Sequence, residues 1–300
     1  MTVEELLERL RRIPRELRTW DCDEELAHAH FGLDGPLLHA LVAQGLPHDG
    51  DRGAMRFARV DLHCVGVHLG CAQTYVWAAQ RWARSLELLA EREATIASVD
   101  YVPQLPTGAA PTPAIAVLPD GTRRAVVLES GRTALTTRLR LSGCRRRLPA
   151  AAAHAACELA RRLAFCPLPE PLRGDTHLAR RAGLSDCATA ARLIVEEWEA
   201  AGLEARIVDG LLVSEPYSTL HTWAEVRDGD GWLAADPLML GVMCHLGGLD
   251  RERWPPDRSV DSMVHRIDDT SDPLVTTSGE VIELTFLTSL DDVTPRRADE

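Results

Sequence analysis

Apolar residues recur at steps of three and four over much of the first hundred positions, beginning with Leu6, Leu7, Leu10 and Ile13 on one helical face. Thr2 and Glu5 precede them at the spacing of a capping box, in which each side chain bonds the other residue's backbone N–H. Pro14, the Gly32 to Pro36 turn and the Gly45 to Gly53 loop interrupt this pattern, and its longest piece runs from about Gln73 to Ser98. Tyr101 to Pro113 holds four prolines in thirteen residues, a composition that continues neither a helix nor a central strand, and it reads as a linker. After it the period changes. Branched residues flank Pro119-Asp120-Gly121 as in a hairpin, Ala150 to Ala164 returns to a helix, and Glu204 to Val213, His221 to Val226 and Trp232 to Asp236 read as short strands. A further strand is expected over Glu280 to Phe286, before an acidic tail. The expected organisation is a helical region over 1–105, an α+β domain over 106–290 and a flexible tail over 291–300.

Composition narrows the class. Three hundred residues with 45% apolar content can bury a substantial core. The formal charge of −12 disfavours a nucleic-acid partner, and all 33 basic residues are arginine, a codon-bias signature. No apolar run reaches the roughly 20 residues that a bilayer requires, so a soluble, cytoplasmic protein without a membrane partner is expected. Eight cysteines of irregular spacing in a chain of this size do not read as a disulfide framework, and they are expected to be reduced. No phosphate-binding loop or dinucleotide fingerprint occurs, so no cofactor is implied.

The chemistry concentrates in "GLSDCATAARLIVEEW", where Cys187 opens a helix whose apolar face runs through Ala191, Ile194, Trp198 and Ala201, with Ser185 or Asp186 as the cap and Gly202 as the stop. A thiol at a helix N-terminus gains thiolate stabilisation from the exposed N–H groups. Downstream, strand alternation puts His221, Trp223 and Glu225 on one face. If the hairpin loop is Arg227 to Asp230, Val226 pairs with Gly231 and His221 lies opposite Asp236. A thiol, an imidazole and a carboxylate in this order are the parts of a nucleophile, a base and a group that orients the base.

The segments "SDCATAARLIVEEWEAAGLEARIVDG", "HTWAEV" and "GWLAADP" resemble the cysteine-helix, histidine-strand and aspartate-strand of the transglutaminase-like superfamily of papain-like enzymes. The resemblance covers roughly Arg173 to Met243. It implies an antiparallel sheet packed on the nucleophile helix, with Cys187, His221 and Asp236 as the catalytic residues. It also implies acyl transfer through a thioester on a peptide or small-metabolite donor, with an amine acceptor, or with water in an amidase or peptidase. Many relatives have glycine before the cysteine, where this chain has Asp186, and an upstream Trp or Gln donor that is absent here between Gln104 and Trp198. Thr176 or His177 is the candidate second oxyanion donor, and Trp223 and Trp232 are candidate cleft walls. Two other classes compete: a non-catalytic binding module of the same fold, and a zinc-stabilised protein built on His63, Cys64, His68 and Cys71, which reads better as a core segment.

Overall fold

The computed structural model describes residues 1–51, 53–118, 120–267, 275–278 and 280–291. It is α+β, as expected, but its two compact units do not follow the chain in order. The first comprises Met1–Gln80, Ala150–Leu203 and Asp236–Asp257, and the second comprises Arg81–Pro149, Glu204–Ala235 and Arg258–Glu300. These units cut the chain at other points than the expected division at residues 105 and 106. The physical reason lies in the first unit's core, where Leu6, Leu7 and Leu10 share one buried cluster with Leu172, Leu178, Ala182 and Leu184.

The first unit is helical. Helices α1 (Val3–Arg11), α2 (Glu24–Phe31), α3 (Gly35–Ala43) and α4 (Arg59–Leu69) are followed by α5 (Gln73–Glu91), which begins in this unit. The capping box forms as expected, with Glu5 N–H donating to Thr2 at 3.2 Å and Thr2 N–H donating to Glu5 at 2.8 Å. Asp61 of α4 is fully buried and accepts from Arg18 at 2.7 Å, so this pair is satisfied inside the core. Burial pushes the Asp61 carboxyl up to about 6, against the pull of Arg18.

Cys64 of α4 is disulfide-bonded to Cys166, 102 residues later, with their Cα atoms 4.9 Å apart. The expectation that all eight cysteines are reduced is thereby corrected: sequence spacing shows nothing of two distant thiols that the fold brings face to face. The same pairing disperses the zinc-type cluster. His63 packs edge-on against Tyr75 at 4.6 Å, and His68 lies 6.0 Å from the ring of His245.

Later segments complete this unit. They are α6 (Ala150–Arg162), α7 (Thr176–Ala182), α8 (Cys187–Ala200) and α9 (Pro237–Leu246), with β5 (Ala164–Phe165) and β6 (Leu184–Ser185) as a short parallel pair. Among the described residues no helix is long and apolar enough to cross a membrane.

The second unit holds the two larger sheets. The larger runs β10 (Val264–Arg266), β7 (Ala205–Leu212), β8 (Tyr217–Asp228), β13 (Leu284–Asp291), β1 (Ala94–Pro103) and β4 (Leu135–Ser142), all antiparallel, with β9 (Gly231–Ala235) also paired to β8. Strand β8 therefore forks, since Tyr217 and Ser218 pair with β13 while Ala224 to Asp228 pair with β9. A smaller sheet joins β2 (Thr112–Val117), β3 (Arg123–Leu128), β11 (Val275–Thr277) and β12 (Glu280–Val281), and contains the expected hairpin.

Two expectations change here. The long helix ends at Glu91, and the linker's first residues instead finish the central strand β1, whose alternate side chains are buried. Tyr101 shows why: it is fully buried and meets Phe286 of β13 edge-on at 5.1 Å. Pro103 sits at the strand's last position, where a missing N–H is tolerated. Of the expected tail, Asp291 ends β13 and 292–300 lie outside the described residues.

Candidate active site

Cys187 is the first residue of α8 and is half-buried. Asp186 caps the helix, its carboxylate accepting from Thr189 N–H at 2.8 Å, so the residue that replaces the relatives' glycine turns its charge onto the helix's own backbone. The other carboxylate oxygen faces Arg173 at 3.6 Å. The cap is only 6% exposed, which strengthens both contacts. Thr189 in turn accepts from Gly174 N–H at 2.8 Å, tying the loop that carries Arg173 to the helix's first turn. On the other side, Cys166 N–H donates to the Ser185 carbonyl at 2.9 Å, so the disulfide-anchored segment fixes the strand that enters the helix.

Tyr75 of α5 belongs to the same surroundings. Burial pushes its phenol up, the Cys187 sulfur pushes it further, and Arg173 draws it back, so all three groups lie within electrostatic range. Sequence reading missed both Tyr75 and Arg173. Neither carries a local motif, and only the packing of α5 and the 168–175 loop around α8 gathers them.

His221 lies on β8 and is buried, its ring stacked on Trp223 at 6.5 Å with 15° between planes. The Trp223 indole N–H donates to Glu225 at 3.2 Å, and Glu225 accepts from Arg206 Nε at 2.7 Å. The expected shared face of His221, Trp223 and Glu225 is therefore present, and it ends in a charged pair. Opposite His221 stands Gly210, where an added Cβ would fall 2.5 Å from the Trp223 ring and also against the His265 carbonyl. Only glycine lets β7 and β10 close over this indole.

The hairpin register differs from the expected one. Gly231 pairs with Asp228 rather than Val226, because Gly229 takes φ +60° and closes a two-residue turn with Asp230. A shift of two residues keeps each side chain on its face. It also ends the ladder at Ala235, paired with Ala224, so Asp236 is not the cross-strand partner of His221. Asp236 caps α9, accepting from Met239 N–H at 2.8 Å, and is 5% exposed.

The accessory candidates are placed as follows. Trp223, at 1% exposure, packs in the core beside His221. Trp232 is covered by the Arg206 guanidinium at 3.9 Å and flanked by Arg227 at 5.4 Å. Thr176 is half-buried and His177 exposed on the first turn of α7, and among the described residues no hydrogen bond joins either to Cys187.

Residues 146–237 match the transglutaminase-like superfamily, and this span includes Cys187, His221 and Asp236. Over that span, about a third of the chain, the protein is similar to a superfamily of transglutaminase-like proteins, and this similarity supports cysteine-based catalysis in general. Among solved structures, a candidate cysteine protease from Cytophaga hutchinsonii is similar, with 11% identity, a TM-score of 0.35, and coverage of 69% of this chain and 93% of that one. No curated protein matches the chain.

Proposed function

We propose that this protein is a cofactor-independent cysteine acyl-transfer enzyme in which Cys187 is the nucleophile, His221 the acid–base group and Asp236 the residue that orients the imidazole. The observation that carries this reading is Cys187 at the first position of α8, with the charge of Asp186 already engaged by Thr189 N–H and Arg173. In the reaction His221 takes the thiol proton as sulfur attacks an amide carbonyl. The C–N bond then breaks, His221 returns the proton to the departing amine, and a thioester remains on Cys187. An amine attacks this thioester, forming a new amide and regenerating the thiol. Water in the amine's place makes the same residues an amidase.

Intact-mass analysis with candidate amide donors tests the reading. A mass increase equal to the acyl group less the displaced thiol hydrogen should appear in the native chain and vanish in Cys187→Ala, which should retain the native circular dichroism. Iodoacetamide should modify Cys187 selectively near neutral pH, and His221→Ala should slow that reaction about tenfold or more. Equal rates in the two proteins would remove His221 from the mechanism, and turnover by Cys187→Ala would end the proposal.

A further inference from the structure

The helical unit contains a cavity of about 550 Å³ that none of the three proposed catalytic residues lines. This volume falls within the roughly 300–1,000 Å³ common for small-molecule sites. Its walls come from α1, α4, α6, β5 and α9, with apolar surface from Leu6, Val67, Phe165, Leu238 and Trp254. The chain carries 45 acidic against 33 basic residues, yet the lining includes three arginines and no carboxylate. Burial and the neighbouring His245 hold His68 on the neutral side, so the arginines are the lining groups that can attract a small anion.

These cations differ in availability. Arg9 donates to the carbonyls of Arg162 at 3.0 Å and Gly183 at 2.8 Å, and Arg161 pairs with Glu158. Arg251 makes no ion pair among the described residues, so its planar fork remains available to a carboxylate. His245 donates through Nε2 to the His68 carbonyl at 2.8 Å, which fixes its ring at the cavity.

Gly241 supplies an independent sign. It sits inside α9, where glycine is a poor helix former, and an added Cβ would meet nothing within 4 Å. No turn, positive φ or close backbone approach requires glycine there. Its effect is to leave the cavity open along one wall.

We infer that this cavity is a binding site for a small organic carboxylate with an apolar body, the chain entering among Leu6, Val67, Phe165 and Trp254 and the carboxylate meeting Arg251. The site is distinct from the acyl-transfer chemistry and holds whether or not Cys187 turns over.

Calorimetric titration of the full chain with octanoate tests it, with octanamide as the neutral control. Octanoate should bind one site per chain, at least about tenfold more tightly than octanamide, as expected for a charge-assisted contact. Gly241→Leu should abolish binding while leaving the melting temperature unchanged or raised, because leucine is the better helix former. Arg251→Gln should reduce octanoate affinity to that of octanamide. Absence of octanoate binding, or undiminished binding by Gly241→Leu, would overturn the site. Equal affinity for octanamide would overturn the carboxylate assignment. Because the readout is equilibrium binding, failure here leaves the thioester experiment untouched.

Discussion

Asp186 shows how a residue that looks unfavourable beside a nucleophile is made compatible with it. A free carboxylate next to Cys187 would oppose thiolate formation, but here one oxygen accepts from Thr189 N–H and the other faces Arg173. Asp186→Asn keeps an acceptor for the cap and removes the charge, so it should speed iodoacetamide modification of Cys187 near neutral pH. Arg173→Gln should slow it. Each change should be about two- to fivefold, because Arg173 is more than half exposed and solvent screens its charge. Modification rates near neutral pH measure both, and equal rates for all three proteins would show that the pair has no influence on the thiol. Sequence made Cys187 and its cap legible because capping is a local code of adjacent residues. Arg173 and Tyr75 were not legible, since their relevance arises from tertiary neighbours alone.

At the scale of elements, helices with a single apolar stripe were legible, and α1 and α8 begin as their caps indicate. Strand β1 was not, although its burial alternates with period two, because prolines near its end outweighed that signal and the preceding helix had no stop. The β8–β9 register lies two residues from the one the sequence suggests, since an Asp-Gly-Asp-Gly run permits several turns and only the packed sheet selects one. The disulfide is the clearest tertiary feature at this scale, joining α4 to the residue after β5, whose partner strand β6 leads into α8. Closing a 102-residue separation should stabilise the fold by about 4–5 kcal/mol in the chain-entropy account. Urea unfolding of Cys64→Ala/Cys166→Ala against the native chain measures this directly. Equal midpoints and slopes would show that the bond contributes nothing to stability.

At the scale of the whole molecule, three separated stretches of chain build one helical unit and three others build the sheets, an interleaving that no local pattern reports. Periodicity says which face of a helix is buried but not against what. Leu6, Leu7 and Leu10 were therefore legible as a core face, while their partners Leu178, Ala182 and Leu184 were not. The consequence separates this architecture from a linear arrangement of a helical region and an independent catalytic domain. A protein starting at residue 106 keeps every proposed catalytic residue, yet it loses α1 to α5, the partner of Cys166 and the central strand β1. Exposing that much apolar surface, at about 25 cal/mol per Å², exceeds the margin of roughly 5–15 kcal/mol that stabilises an ordinary domain. Residues 106–300 expressed alone should therefore lack a cooperative thermal transition, be cleaved rapidly by protease and show poorly dispersed amide resonances. A sharp transition near the melting temperature of the full chain would mean that the interleaved core is dispensable, and that the two regions fold as the linear sequence pattern suggests.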